Sequence, residues 1–210
     1  MTPSSARRGP DATKILTRTE LAIVLAELRR KALRSPSMRL NLVLFRLAVC
    51  CGLRASEIAK LQLADVRVEV QRPHLRIRRG ASKGGKPRIV PLWWDEGTLA
   101  DLIAWKAARL RHGADGEAPF LVSAKAGREL VVFSRHTLRK RFRTACKILG
   151  AERLDSLTIH HGRHTFISHA LAGGRTLAEV RDAAGHANVS ITSTYLHVAV
   201  EDGEMGNLFR

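Results

Sequence analysis

Six residues in this sequence have the types and settings to act together on a phosphate. Arg54 lies in Gly52-Leu53-Arg54-Ala55-Ser56-Glu57, where a glycine closes one helical pattern and a short one begins. His160 and Arg163 form an H-x-x-R pair, which a helix presents on a single face. His186 follows Ala184-Gly185, and Tyr195 stands nine residues further on, beyond a helix break, so the two side chains are expected to converge from consecutive helices. Lys83 occupies Gly80-Ala81-Ser82-Lys83-Gly84-Gly85-Lys86-Pro87, a flexible basic hairpin tip. Cleaving a phosphodiester without a metal requires positive charge on the non-bridging oxygens, a nucleophile in line, and an acid for the departing oxygen. Arginine suits the first task because its planar fork matches phosphate geometry and stays charged. Tyrosine or serine suits the second, and lysine or histidine the third.

Each residue also has a blander reading. Tyr195 is the only tyrosine in the chain, and a lone tyrosine is usually a core residue. Arg54 taken alone reads as an ion-pair partner of Glu57. His160, His161 and His164 are metal-ligand types, with His160 and His164 four apart. The glutamate of H-E-x-x-H is missing, however, and Arg163 opposes a cation, so neither a metal nor a cofactor is expected. Gly84-Gly85 with its lysines lacks the spacing and the following Ser or Thr of a P-loop, which argues against nucleotide binding.

The elements that must position these residues can be read from periodicity. Residues 1–13 are small, polar and rich in breakers, and read as a disordered tail. Thr17-Arg18-Thr19-Glu20 fits a capping box, followed by Leu21, Val24, Leu25 and Leu28 at helical spacing. A second helix follows Pro36, burying Leu40, Leu44, Leu47 and Ala48 and stopping at Gly52, and a short third runs from about Ala55 to Leu63. Alternation then predicts three strands, at Val66 to Val70, Leu75 to Ile77 and Ile89-Val90. Helical spacing returns from Glu96 to Arg111, with Leu99, Leu102, Ile103 and Ala107 on one side. Residues 112–133 are less regular, and a basic helix runs from about Ser134 to Leu149. Helices broken at Gly173-Gly174, at Gly185 and around Asn188 to Ser190 complete a mainly α domain with one small antiparallel sheet.

Composition narrows the partner. Against 19 acidic residues stand 36 lysines and arginines, a formal charge of +17 spread along the whole chain. Such a charge points to a polyanion and the release of its condensed counterions; a basic ribosome-associated protein is the alternative on charge alone. Cys50, Cys51 and Cys146 are odd in number and form no C-x-x-C, which suits a reducing compartment. The longest apolar run, Leu42 to Leu53, is interrupted by Arg46 and falls short of the roughly 18 residues that span a bilayer. With no apolar stretch near the start to act as a signal peptide, a cytoplasmic location is expected.

Cys51-Gly52-Leu53-Arg54-Ala55-Ser56-Glu57-Ile58, then Ser82-Lys83-Gly84-Gly85-Lys86-Pro87-Arg88-Ile89-Val90-Pro91-Leu92, then His160-His161-Gly162-Arg163-His164-Thr165-Phe166, then Gly185-His186 and Tyr195, resemble the ordered signature of the tyrosine recombinase (phage integrase) family. The match runs from about Thr17 to Val198. The resemblance implies that family's mainly α catalytic fold with a small three-stranded antiparallel sheet over residues 14–198; the 199–210 tail with Leu208-Phe209 reads either as plain disorder or, as the resemblance implies, as a segment that docks on a neighbouring protomer. It implies a site-specific recombinase that cuts and rejoins double-stranded DNA through a 3′-phosphotyrosine, without metal, ATP or a small-molecule substrate. In that scheme Arg54 and Arg163 clamp the phosphate and Lys83 protonates the 5′-oxygen, with Lys86 competing for that role. His160 assists proton transfer, His186 hydrogen-bonds a non-bridging oxygen, and Tyr195 attacks. A homo-oligomer, a tetramer on DNA and a monomer when free, is implied as well.

The sequence also departs from the family pattern. His161-Gly162 stands where the family commonly has Asp-Leu, and a glycine inside a helix costs about 1 kcal/mol relative to alanine, so local stability is expected to suffer. Family members usually carry an N-terminal DNA-clamping domain, whereas only a short tail is expected before the first helix here. The chain therefore resembles short members such as the fimbrial phase-switching invertases, or a remnant. A type IB topoisomerase and a non-catalytic DNA-binding descendant are the two rival readings.

Overall fold

Thr17 starts the first long helix as its sequence predicts. Its hydroxyl accepts from the Glu20 amide at 3.1 Å while the Glu20 carboxylate accepts from the Thr17 amide at 2.8 Å. The computed structural model describes residues 12–81, 86–123 and 131–196. Helix α1 (Arg18–Ala32) buries Leu21, Val24, Leu25 and Leu28, the predicted stripe. Order begins slightly earlier than the composition suggested. A 3-10 turn at Ala12–Lys14 precedes α1, and Ile15 and Leu16 are already in the core. Arg153 ties this turn down by donating to the carbonyls of Thr13 and Ile15.

Helix α2 (Pro36–Phe45) is capped by Ser35, with proline at a position where a missing amide costs nothing. Its last turn, Arg46–Cys50, widens to a π-helix, in which the Cys51 amide reaches back to the Arg46 carbonyl at 3.0 Å. The charge that interrupts the apolar run is held there. Arg46 is 2 % exposed and meets Asp95 at 3.0 Å and Asp101 at 2.8 Å, so it pins α2 to helix α4 (Glu96–Arg111). The turn then ends at Gly52, which adopts φ +62°, and a Cβ there would lie 2.5 Å from the Phe166 ring. Helix α3 (Ala55–Lys60) follows at once.

Strands β1 (Val66–Arg67), β2 (His74–Ile77) and β3 (Arg88–Pro91) pair antiparallel in the order β1-β2-β3. Val66 sits opposite Leu75, and Leu75 opposite Val90, so one buried row faces the core. The first strand is shorter than its alternation predicts, because Lys106 takes the Val66 carbonyl at 2.8 Å and the Glu69 carboxylate at 3.0 Å and draws the chain towards α4. In α4 (Glu96–Arg111) the inward line runs through Thr98, Leu102 and Arg109. Ile103, expected on the buried side, is 43 % exposed. The stretch read as irregular contains a two-stranded pairing of β4 (Val122–Ser123) with β5 (Val131–Val132).

Helix α5 (Arg135–Ala145) divides its charge. Arg141 turns inward onto Asn41 and the Phe133 ring, while Arg135, Arg139, Lys140 and Arg143 stay exposed, Arg143 reaching the Leu154 carbonyl and Asp155 along the surface. Helices α6 (Ala151–Ser156), α7 (Ile159–Ala172), α8 (Leu177–Ala184) and α9 (Val189–Ser193) complete the fold, with ends at Gly173, Gly185 and Asn188 as read from the sequence. No described helix is long and apolar enough to cross a membrane.

Helix α7 lies directly on the π turn of α2, and Gly162 makes that approach possible. A Cβ at position 162 would stand 2.8 Å from the Ala48 carbonyl oxygen and 3.0 Å from its carbon, both rigid backbone. The departure at His161-Gly162 is thus a packing device, and His161 keeps the neighbouring position useful by accepting the Thr158 amide on Nδ1 at 3.2 Å. Helix propensity alone predicts that Gly162→Ala stabilises by about 1 kcal/mol. Overpacking against rigid backbone, at up to about 3 kcal/mol, should outweigh that gain by up to about 2 kcal/mol and lower the melting temperature by up to roughly 8 °C in a chain of this size. A melting temperature that rises in a calorimetric scan would show that the helices do not meet so closely.

Candidate active site

The site grows from the end of the π turn. Because Gly52 turns the chain, Arg54 becomes the N-cap of α3 in extended conformation, and its side chain remains 33 % exposed. Three residues on, Glu57 has a side chain with no exposed surface. Its carboxylate accepts the Arg54 amide at 2.9 Å, the Arg54 guanidinium at 3.1 Å, and both terminal nitrogens of Arg88 at 2.9 Å each. The ion pair read from Arg54 and Glu57 therefore exists, but Arg88, delivered by β3, is the bidentate partner. Burial pushes the Glu57 carboxyl up, and the hydrogen bonds and charge of Arg88, with Arg54, outweigh it and hold the group at about 2.

The C-terminal end of α8 supplies the second support. Its unpaired carbonyls carry the negative end of the helix dipole. Ala183 O accepts from Arg88 Nε at 2.8 Å, and Ala184 O accepts from Arg163, whose other terminal nitrogen reaches the Gly52 carbonyl at 3.0 Å. Gly185 ends the helix at φ +67°, and a Cβ there would stand 2.7 Å from Arg88 Cδ. Three guanidinium groups thus surround one carboxylate among the described residues, with main-chain carbonyls completing their coordination. Arg163 is nearly buried. Burial first, then the like charges of Arg54 and Arg88, bring it down to about 9, so it stays charged at neutral pH while favouring any incoming anion.

The histidines and the phenol close the site. His186, just past Gly185, is held by Thr192 of α9, with Nδ1 to Oγ1 2.9 Å. Thr192 is fully buried, so its hydroxyl fixes the imidazole and leaves Nε2 for an outside partner. Burial, then Arg163, Arg54 and Arg88, hold His186 at about 4. Tyr195, in the turn after α9, is 7 % exposed, and its hydroxyl meets His164 Nδ1 at 2.5 Å within the field of Arg163. Burial pushes the phenol up, against the pull of Arg163. His160 sets its ring edge on His164, with centroids 5.0 Å apart, and burial followed by Arg163, Arg54 and Arg139 lowers it too. Displaced pKa values gathered in one cleft are a feature that functional sites share with structural ion-pair networks.

Five of the six residues expected from the sequence, Arg54, His160, Arg163, His186 and Tyr195, therefore lie in one another's electrostatic field. Lys83 lies outside the described residues, and Lys86 is exposed. Four supporting residues went unread: Glu57 as a buried anchor, Arg88, Thr192 and His164. A capping-box glutamate three residues after Arg54 was the available signal for the first. Only tertiary structure reveals the other three. Beside the cluster runs a groove of about 570 Å³ whose wall joins Arg54 and His160 to Arg135, Arg139 and Lys140 of α5.

His164 and His186, both depressed to about 4 chiefly by burial, titrate near 6.5 when unfolded, so protons favour the unfolded chain. The stability is fully present above about 6.5 and is lost as pH falls towards about 4, a window in which Glu57, held at about 2, has not begun to titrate in the folded state. The melting temperature should therefore fall between pH 7.5 and 5, and fall less for His186→Gln. A pH-independent melting temperature across that range would contradict the burial of these imidazoles.

Residues 14–202 match the Phage integrase family. Tyrosine recombinase XerC of Rhodospirillum centenum is 34 % identical over 158 residues, covering 75 % of this chain and 42 % of the relative. Tyrosine recombinase XerD of Rhizobium meliloti is 32 % identical over 214 residues, covering 95 % and 60 %. The chain thus spans about half the length of the curated relatives it matches. The fold agrees with the crystal structure of XerA recombinase, at TM-score 0.68 and 23 % identity, covering 94 % of this chain and 62 % of that one. It agrees equally with XerH site-specific recombinase bound to difH substrate, at 0.67 and 20 %, covering 94 % and 53 %. With the ordered motifs, the helical fold and this match over most of its length, the chain belongs to the phage integrase family of tyrosine recombinases.

Proposed function

We propose that this chain cuts and rejoins duplex DNA at specific sites by passing a backbone phosphate to Tyr195. The observation that carries the proposal is the Tyr195 hydroxyl, which lies in the field of a buried, still-charged Arg163 that has no carboxylate partner of its own among the described contacts. An anion is what that arrangement lacks, and a bridging phosphate between nucleophile and guanidinium supplies it.

In this reading Arg54 and Arg163 bind the non-bridging oxygens, and His186 donates from Nε2. Arg88 acts at one remove by fixing Glu57 and hence Arg54. Tyr195 attacks phosphorus, the bond to the 5′-oxygen breaks, and Lys83, with Lys86 as the competing lysine, protonates that oxygen. His160, on the groove wall, helps to hold the phosphate. Because the ester energy is kept in the 3′-phosphotyrosine, a free 5′-hydroxyl reverses the step, and attack by a different strand's hydroxyl makes the outcome recombination. The groove beside the site, lined by the exposed basic residues of α5, suits the flanking DNA backbone.

The related XerH was crystallised on its DNA substrate, and a lambda integrase as a dimer on a core site. By analogy the partner here is double-stranded DNA, met as a homo-oligomer, a tetramer when two sites are joined, and as a monomer when free. Residues 14–198 form the catalytic unit, the 199–210 tail docks on a neighbouring protomer, and the work is done in the cytoplasm.

A pool of nicked duplexes with randomised sequence, from which the cut strand's short end diffuses away, tests the proposal. The wild-type chain should become covalently attached to the 3′ end, and Tyr195→Phe should lose the adduct while keeping DNA affinity within about a few-fold. A mobility shift without any adduct would make the chain a DNA-binding protein only, and an adduct retained by Tyr195→Phe would remove the nucleophile from the scheme.

A further inference from the structure

The phenol of Tyr195 is engaged by His164, not by the H-x-x-R histidine. His164 Nδ1 stands 2.5 Å from the Tyr195 hydroxyl, and the two rings lie nearly parallel with centroids 5.7 Å apart. His160, one helical turn earlier on α7, touches the edge of the His164 ring and lines the groove with Arg54. From this arrangement we infer that His164 is the catalytic base of the cleavage step, accepting the phenolic proton as Tyr195 attacks. The inference rests on the phosphoryl-transfer reading above and names a further residue for it.

The electron and proton accounting is complete within the step. The Tyr195 O–H bond breaks and its proton goes to Nδ1, while the phenolic oxygen forms the bond to phosphorus. The bond from phosphorus to the 5′-oxygen breaks, and that oxygen takes a proton from the separate lysine acid. On rejoining, the imidazolium returns its proton to the departing phenolate. A base in this position must start neutral, and His164 does: burial, then His160, His161, Arg163 and Lys14, hold it at about 4.

The groups that face it are therefore His160, His161 and Arg163 from α7, Lys14 from the 3-10 turn, His186 beyond α8, and Tyr195. Burial first, and then the positive charge of this set, keeps the free imidazole from taking a proton. A phosphate seated on Arg163 and Arg54 offsets the charge contribution, though not the burial, so the proton affinity of His164 rises when the scissile linkage is in place. The base is thereby armed by its substrate, and a free protein does not leave a phenolate exposed to other electrophiles.

Single-turnover adduct formation on a nicked duplex, followed from pH 5.5 to 9, tests this with His164→Ala, His164→Gln and His160→Ala beside the wild type. Glutamine keeps a hydrogen-bond acceptor and similar bulk but cannot carry the proton, so it separates proton transfer from positioning. Both His164 variants should slow adduct formation by about a hundredfold or more, the usual scale for a lost general base. Their DNA affinity should stay within twofold, and their rate should rise with pH as phenolate forms unaided. Added imidazole should restore part of the rate to His164→Ala and none to His164→Gln.

A wild-type rate and pH profile in His164→Gln would overturn the inference even if His164→Ala failed to fold. So would a loss of rate that merely follows a loss of melting temperature and DNA affinity, or a changed pH profile in His160→Ala alone. Absence of any adduct from the wild-type chain would instead overturn the phosphoryl-transfer reading, and this inference with it.

Discussion

Glu57 is a fully buried carboxylate that holds two guanidinium groups, Arg54 from the start of α3 and Arg88 from β3, and the geometry of the site follows from it. Burying a lone carboxylate is costly, and the expense is offset here by four hydrogen bonds to charged or main-chain donors. Removing Glu57 would leave Arg88 buried without its counter-charge and Arg54 free to wander. The carboxylate does not neutralise the site, because Arg163 is a third cation satisfied only by carbonyl oxygens. Three guanidinium groups against one carboxylate leave the cluster with a deficit of negative charge, which the proposed phosphate would reduce.

Backbone devices set the distances around that deficit. The π turn and left-handed Gly52 place Arg54, and Gly162 lets α7 approach closely enough for Arg163 to reach the Gly52 carbonyl. Gly185 lets α8 end against Arg88 and starts the segment that carries His186. Each glycine stands where a Cβ would strike a neighbour, and together they bring three chain segments far apart in sequence to one point. Thr192 and His164 then aim an imidazole and a phenol at it.

Much of this was legible in the sequence, because residue type and spacing report local structure directly. The Thr17 capping box, the stripe of α1 and the breaks at Gly173, Gly185 and Asn188 each depend on neighbours a few residues away, and each was found where expected. Arg54, His160, Arg163, His186 and Tyr195 stand in ordered motifs that made the family recognisable. Long-range contacts were not legible. Lys106 shortening β1, Arg88 crossing to Glu57, and Arg46 serving Asp95 and Asp101 all join residues more than 30 positions apart. His161-Gly162, read as a local weakness, is a close helix contact that helix propensity does not register. His164 reads in the sequence only as a metal-ligand type, because its contact depends on where Tyr195 comes to rest.

The central claim is that Arg54, Arg163 and His186 enclose a phosphorus centre in line with Tyr195. A crystal structure of the chain on a nicked duplex with orthovanadate, whose trigonal-bipyramidal form imitates the transferring phosphoryl group, tests it most directly. The account predicts vanadium bonded to the Tyr195 oxygen, with both guanidinium groups and His186 Nε2 donating to its equatorial oxygens. Vanadate bound away from Tyr195, or held without Arg54 and Arg163, would contradict it.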